Sequence, residues 1–327
     1  MRKVPIYLAP LEGVTDSIFR NTFMKYYGGV EKVFTPFLSP NSTRKFTTRE
    51  FKDINPETND INITIPQLLT NNAEHFLWAV GEIAALGFKE INFNLGCPSG
   101  TVVAKRKGSG LLYYPEELDK VLYEIFDGLD ETCKNKGATV PSISIKTRLG
   151  KNESEEFYEI LDIYNKYPIS ELTVHPRIQS DFYKEPVRYE FFEYALKNSK
   201  APVVFNGEIR TVQDINSVYE KYNNVNAIML GRGLIANSQL ALAYKEDGTE
   251  DYQNFDYKRF KTFHDELLSQ YIEVLSGEKP VLHRMKEFWV FWQERFPDSE
   301  KQIKKLKKAN RIAEYREQAN IIFTSEK

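Results

Sequence analysis

Short apolar runs rich in Val, Ile, Phe and Thr recur along the chain, with longer amphipathic stretches between them. The runs are VPIYL at 4, KVFT at 32, ITIPQLL at 63, EINFN at 90, SISIK at 142, ELTVH at 171, PVVFN at 202 and AIML at 227. Each has the length and composition of a strand. Between them, Ala73 to Leu86, Pro115 to Asn135, Glu153 to Tyr167, Tyr189 to Lys197 and Thr211 to Tyr222 carry helical periodicity. Successive strands separated by helices lie parallel, because a parallel neighbour requires a crossover. Eight such units in about 240 residues predict a (β/α)8 TIM barrel, with an open doubly wound sheet as the alternative. From about Asp251 the alternation stops, and helical pattern continues, broken by SGEKP at 276 and FPDSE at 296. The expected organisation is therefore an α/β barrel over residues 1–245 followed by an all-helical domain over 246–327.

Composition narrows this picture without replacing it. The 327 residues suffice for a barrel and a smaller domain, and 41% hydrophobic with 28% charged residues is ordinary for a globular protein. No uncharged apolar stretch reaches bilayer-spanning length, so no membrane partner is expected. Pro5, Pro10 and Glu12 interrupt the first apolar run, which reads as a strand rather than a signal segment. Two cysteines, Cys97 and Cys133, support neither a disulfide framework nor a metal cluster; a reducing cytoplasm is the expected setting. The net charge is −2, yet between Lys279 and Arg311 ten Lys or Arg stand against four Asp or Glu. Such a segment suits a polyanion.

A parallel barrel collects its chemistry at the carboxyl ends of its strands. Those ends carry Ala9-Pro10, Gln67, Asn94 with Cys97, Lys146, His175, Asn206-Gly207 and Gly231-Arg232. Cys97 lies just past a strand, followed by Pro98 and a loop spaced by Gly100, Gly108 and Gly110. A free cysteine is most often a buried small hydrophobe, but this setting suits a movable proton donor or nucleophile. Cys133, late in a helix, reads as structural. Lys146 ends an apolar strand, where a cation requires an anion or a polarised ligand; a Schiff base and an electron-rich cofactor edge both remain open. Arg148, on the same side of the strand, makes the mouth doubly cationic. His175 ends another strand, a place where a structural histidine is the ordinary case. The GRG of Gly231, Arg232 and Gly233 after the eighth run, with Asn206, Gly207 and Glu208 after the seventh, fits the two loops that bind phosphate in many barrels.

Taken in order, LAPLEGVTDSIFR, NFNLGCPSGTVVAKRKGSGLL, SIKTRLG, TVHPR with Tyr183 after it, VVFNGEI and IMLGRG resemble the dihydrouridine synthases. The resemblance spans the barrel. It implies a flavin enzyme that reduces uridine in tRNA to 5,6-dihydrouridine, with FMN in the barrel, NADPH or NADH as reductant, and a helical C-terminal domain holding tRNA. By the same resemblance Cys97 is the general acid for C5 of the uracil while hydride reaches C6, and Asn94 orients the base. Ala9, Pro10 and Leu11 cradle the isoalloxazine; Gln67, Lys146 and His175 contact the flavin; Asn206, Gly207, Glu208, Gly231 and Arg232 take its ribityl and phosphate end. Tyr183 meets the substrate base, and Arg148 and Arg177 share that face. LAPLEGVTD with GCPS leans toward the branch that modifies position 16 of the D-loop. Leu11 replaces a methionine common in the family, and KGSGLLYYPEEL lacks the third small residue of the usual glycine run.

Physical chemistry agrees with these roles. A thiol of ordinary pKa near about 8.5 is mostly protonated at neutral pH and can donate a proton. Lys105, Arg106 and Lys107 give the following loop a charge suited to RNA phosphate. In the tail, Phe288, Val290, Phe291 and Trp292 are expected to pack a helical core rather than stack bases. Lys304, Lys305, Lys307 and Lys308 cannot all be buried, and a solvated face is the ordinary reading of such a run; the resemblance, with tRNA held on this domain, implies phosphate contacts at Lys304 and Lys308. The competing readings are a flavin barrel acting on a small molecule, a catalytically silent tRNA-binding protein and a Schiff-base aldolase using Lys146.

Overall fold

In the computed structural model, which describes residues 3–246 and 255–325, eight parallel strands close a barrel in chain order. They are β1 (Ile6–Leu8), β2 (Lys32–Leu38), β3 (Thr64–Leu68), β4 (Glu90–Leu95), β5 (Ser142–Arg148), β6 (Leu172–His175), β7 (Val203–Phe205) and β8 (Ala227–Leu230). The Ile228 N–H donates to the Pro5 carbonyl at 2.9 Å, which leaves no open edge and removes the doubly wound alternative. At the amino ends, Lys32 bridges Glu90 at 2.8 Å and Glu171 at 3.2 Å, and the Tyr7 hydroxyl donates to Glu171 at 3.0 Å. These bonds form a polar floor at the amino ends of the strands.

Two strands run further than their apolar pattern indicates. β2 continues beyond Thr35 to Leu38, with its register against β3 broken between Phe34 and Phe37. Pro36 lies within that break and has no N–H for the ladder. β5 does not end at Lys146: it continues to Arg148, with Asn94 opposite Lys146 and Arg148 opposite His175.

The expected helices form over Ala73–Ala85, Pro115–Asn135, Glu156–Tyr164, Tyr189–Asn198 and Val212–Lys221. Two further helices carry start signals: Asp16 caps Ser17–Tyr26 by accepting the Phe19 N–H, and Thr47 with Glu50 forms a capping box on Thr48–Ile54. Cys133 is fully buried in its helix, and burial raises its thiol pKa. No helix among the described residues is long and apolar enough to cross a membrane.

The chain divides into two compact units. One holds Glu31–Glu208, Lys221–Met229 and the chain up to Pro10; the other holds Leu11–Val30, Ile209–Glu220 and the chain from Leu230. The second unit therefore includes the helix that follows β1, along with Tyr257–Val274, Glu278–Trp292, Glu300–Lys308 and Ile312–Ser325. Aromatic packing explains this grouping, since Phe19 stacks on Phe288 with centroids 5.3 Å apart and meets Phe263 edge-on at 6.0 Å. The expected division at residue 246 abuts residues 247–254, which lie outside the described residues.

Within the second unit Phe288 and Trp292 are buried as expected, with Trp289 beside them, whereas Phe291 is half-buried and Val290, expected in the core, is exposed. The Tyr315 hydroxyl accepts the Trp289 indole N–H at 2.8 Å and lies 2.7 Å from His264 Nε2. All three side chains are buried. Tyr315→Phe strands the indole N–H and the imidazole nitrogen together. It is expected to cost about 2–4 kcal/mol at ~1–2 per orphaned group. A urea midpoint equal to that of the native chain would remove the trio from the stabilising core.

Candidate active site

Cys97 follows β4 on a loop whose shape Asn94 dictates. The Asn94 side-chain oxygen accepts the backbone N–H groups of Gly96 at 3.0 Å and Cys97 at 2.9 Å. Its amide nitrogen donates to Gln67 Oε1 at 2.7 Å, Gln67 donates to Asn92 Oδ1 at 2.7 Å, and Asn92 donates to Ser144 Oγ at 2.9 Å. A buried amide relay thus runs across β3, β4 and β5 and ends on the cysteine turn. Gly108 closes the other side: its φ is +56°, and a Cβ there would lie 2.9 Å from the Cys97 carbonyl oxygen. Ser109 adds a hydroxyl bond to that carbonyl at 2.8 Å. The thiol is partly exposed, while the backbone beneath it is fixed.

Lys146 pairs in register with Asn94 and interacts electrostatically with Cys97. Among the described residues it has no hydrogen-bond or carboxylate partner. Burial, reinforced by the Arg148 guanidinium, pushes its ammonium pKa down to about 7. Arg148 is 1% exposed, and each part of its guanidinium holds a carbonyl: Nε on Gly96 at 3.0 Å, Nη1 on Ile178 at 2.8 Å and Nη2 on Phe182 at 2.7 Å. It clamps the loops after β4 and β6 to each other, and Lys146 has no carboxylate partner among the described residues.

The β6 end forms a second cluster. Arg177 Nη1 lies 3.2 Å from His175 Nε2 and Nη2 lies 3.3 Å from Glu208. A guanidinium only donates, so Nε2 accepts and the ring proton sits on Nδ1. Tyr183 stacks on His175 with centroids 6.0 Å apart, and Arg148 lies 5.3 Å from its ring; the tyrosine is 49% exposed. Gln179 donates to the Pro98 carbonyl at 3.2 Å, a second tie to the cysteine loop. Ala9 is buried at the end of β1, and Asn206 donates to the Met229 carbonyl at 2.8 Å, with Gly207 between it and Glu208.

The first unit therefore brings Gln67, Asn94, Cys97, Lys146, Arg148, His175, Arg177, Tyr183 and Glu208 into one connected constellation at the barrel's carboxyl end. Lys105 and Arg106 are exposed on the loop after Cys97, and Arg106 pairs with Glu117 at 2.6 Å. Leu11, Gly231, Arg232, Lys304 and Lys308 belong to the second unit. There the Leu11 N–H is bound to Thr15 Oγ1 at 2.8 Å. In GRG, Gly233 is a packing glycine, since a Cβ on it would fall 1.9 Å from the Ile209 carbonyl. Lys304 pairs with Glu300 at 2.6 Å, whereas Lys305 and Lys308 are exposed with no partner among the described residues.

Two members escape a reading of strand ends alone. Asn92 and Ser144 lie within β4 and β5 and are buried. The signal that marks them is alternation: Asn92 and Asn94 are polar residues two apart in an apolar strand, on the same face. Among the described residues no group of three or more His, Cys, Asp or Glu could hold a metal ion.

Comparison with known proteins agrees with this geometry. The dihydrouridine synthase family model matches residues 7–325. A tRNA-dihydrouridine(16) synthase of Pseudomonas putida is 31% identical over 76% of this chain and 76% of its own. tRNA-dihydrouridine synthase B of Pasteurella multocida is 28% identical over 72% and 67%. A probable tRNA-dihydrouridine synthase of Staphylococcus aureus is 30% identical over 70% and 68%. Among solved structures, morphinone reductase matches with TM-score 0.51 at 11% identity, over 77% of this chain and 88% of that one. Histamine dehydrogenase of a Rhizobium species matches with TM-score 0.53 at 12% identity over 76% of this chain, which spans 47% of that protein; both likenesses concern the fold. The chain belongs to the dihydrouridine synthase family.

Proposed function

We infer that the protein reduces a uridine of tRNA to 5,6-dihydrouridine, using FMN and NADPH or NADH, with Cys97 as the acid. The observation that carries this reading is the pairing of a strand-end thiol on a fixed backbone with a half-buried ammonium that has no carboxylate partner among the described residues. Lys146 fits a flavin well, since an unpartnered buried cation is stabilised only by negative charge on a ligand. Lys146 and the Nδ1–H of His175 would hold the electron-rich edge of the ring, Ala9, Pro10 and Leu11 its flank, and Asn206, Gly207, Glu208, Gly231 and Arg232 the ribityl phosphate. When bound, FMN supplies the hydride that reaches C6 of the uracil.

The chain's own residues do the rest. Cys97 gives its thiol proton to C5, so the C5–C6 double bond receives one hydride and one proton, and solvent restores the thiol. Asn94 and Gln67 keep the sulfur in one place by holding the Gly96 and Cys97 N–H groups. Arg148 keeps the β6 loop, with Tyr183, against the Cys97 loop, and Arg177 sets the His175 tautomer. Residues 1–245 carry the chemistry and 246–327 hold the RNA.

Dihydrouridine mapping in a bacterial strain stripped of its own synthases tests the function. Expression of this chain is expected to restore the base at position 16 of the D-loop. A strain that stays devoid of dihydrouridine would contradict it. In the tail, Lys305→Ala with Lys308→Ala is expected to lower tRNA affinity and reduce the slope of log affinity against log salt by about 1 per lysine. An unchanged slope would take both lysines out of the RNA interface.

A further inference from the structure

We propose that Tyr113, with the Lys151 ammonium 4.5 Å from its ring centroid, is a stacking ledge for a nucleotide flanking the reacting uridine. This rests on the RNA reading and adds a subsite to it. The segment Gly108–Tyr113 begins against Cys97 and ends at Tyr113, so whatever occupies the ledge is close in the chain to the acid.

Proteins that hold single-stranded nucleic acid combine positive charge along the backbone path with aromatic side chains on which bases stack. Tyr113 is 47% exposed. Lys151, in the loop after β5, places its ammonium 4.5 Å from the Tyr113 ring centroid, and Tyr114 meets Tyr113 edge-on at 5.2 Å. Arg106 lies 4.3 Å from the Tyr114 ring and is bound to Glu117, so it serves to fix the second tyrosine. Lys105, Lys107 and Lys151 have no carboxylate partner among the described residues. Partial burial and the neighbouring Lys105 lower the proton affinity of Lys107, so the loop before Tyr113 adds positive charge to the same unit. Phosphate offsets that charge, and a base covers the exposed ring.

The ligand is thus an RNA nucleotide: a flat ring for Tyr113 and a phosphate for Lys151. A uridine that enters a barrel mouth leaves its own stack, and its neighbour needs a replacement surface. Tyr113 provides one in the same unit as Cys97.

The test is binding of fluorescent unmodified tRNA to full-length protein loaded with FMN, across a salt series. Tyr113→Ala is expected to weaken binding about 5- to 100-fold, as loss of one stacked base does, with the salt slope unchanged. Tyr113→Phe should bind like the native chain. Lys151→Ala should reduce the salt slope by about 1. Flavin content and NADPH oxidation by the variants should equal those of the native protein. Native affinity in Tyr113→Ala would overturn the ledge while leaving the uridine-reductase reading intact. Failure of the native protein itself to bind tRNA would instead overturn that underlying reading and the ledge with it.

Discussion

Cys97→Ala is expected to retain its flavin and lose uridine reduction by about 10²- to 10⁴-fold, the usual contribution of a positioned general acid. The two properties separate because nothing that holds the sulfur is the thiol itself. Asn94 grips the Cys97 backbone N–H, Ser109 and Gly108 fix its carbonyl, and none of these contacts involves Sγ. The substitution therefore removes a proton donor and leaves the loop. Single-turnover reoxidation of pre-reduced enzyme by tRNA, followed at the flavin absorbance, reads the effect. Cys97→Ser should fall between the two, as a weaker acid in the same position. A native rate in Cys97→Ala would assign the proton to another group.

Lys146→Met is expected to stabilise the protein without cofactor while abolishing its capacity to keep FMN. The sign follows from proton linkage. Burial and Arg148 lower the Lys146 pKa from 10.5 to about 7, so between these values the unfolded chain binds more protons than the folded one. Stability of the apoprotein then rises with pH across that window, and below it the full cost of burying the ammonium is present. Methionine fills similar space without the charge, and a gain of a few degrees in Tm at pH 7 is the expected size. FMN binding shows the opposite trend. The charged ammonium is the form that attracts an anion, so FMN affinity of the native apoprotein should fall above pH 7, by at most about tenfold per pH unit for one proton. Calorimetry of apoprotein with FMN at several pH values checks both. A variant less stable than the native apoprotein, or one that keeps FMN, would show that Lys146 has a partner in the fold.

Much of this fold is legible in the chain because parallel barrel strands are buried on both faces and leave continuous apolar runs. All eight runs became strands, and Phe288 and Trp292 are core because burying large aromatic rings drives the packing of a helical bundle, whereas Val290 in the same run is exposed. Boundaries were less legible where backbone chemistry differs from hydrophobicity. β5 carries Lys146 and Arg148 inside the strand because ladder hydrogen bonds are indifferent to side-chain charge. Arg148 looked like an arm for substrate from its spacing, yet its geometry is that of a clamp on three carbonyls; partners that distant in sequence leave no local mark. The grouping of the helix Ser17–Tyr26 with the C-terminal helices is set by Phe19 meeting Phe288, a contact no periodicity reveals. The amide relay from Ser144 to Cys97 was half visible, in the two asparagines of NFN.

The central claim is that a strand-end thiol and a half-buried cation with no carboxylate partner among the described residues form one redox site for RNA. Its most direct test is mass spectrometry of nucleosides from unmodified tRNA incubated with the purified chain, FMN and NADPH. The account predicts a single uridine made heavier by one hydride and one proton, with that product nearly absent for Cys97→Ala protein of equal flavin content. Unaltered tRNA from the native chain, or equal product from the alanine variant, would contradict it.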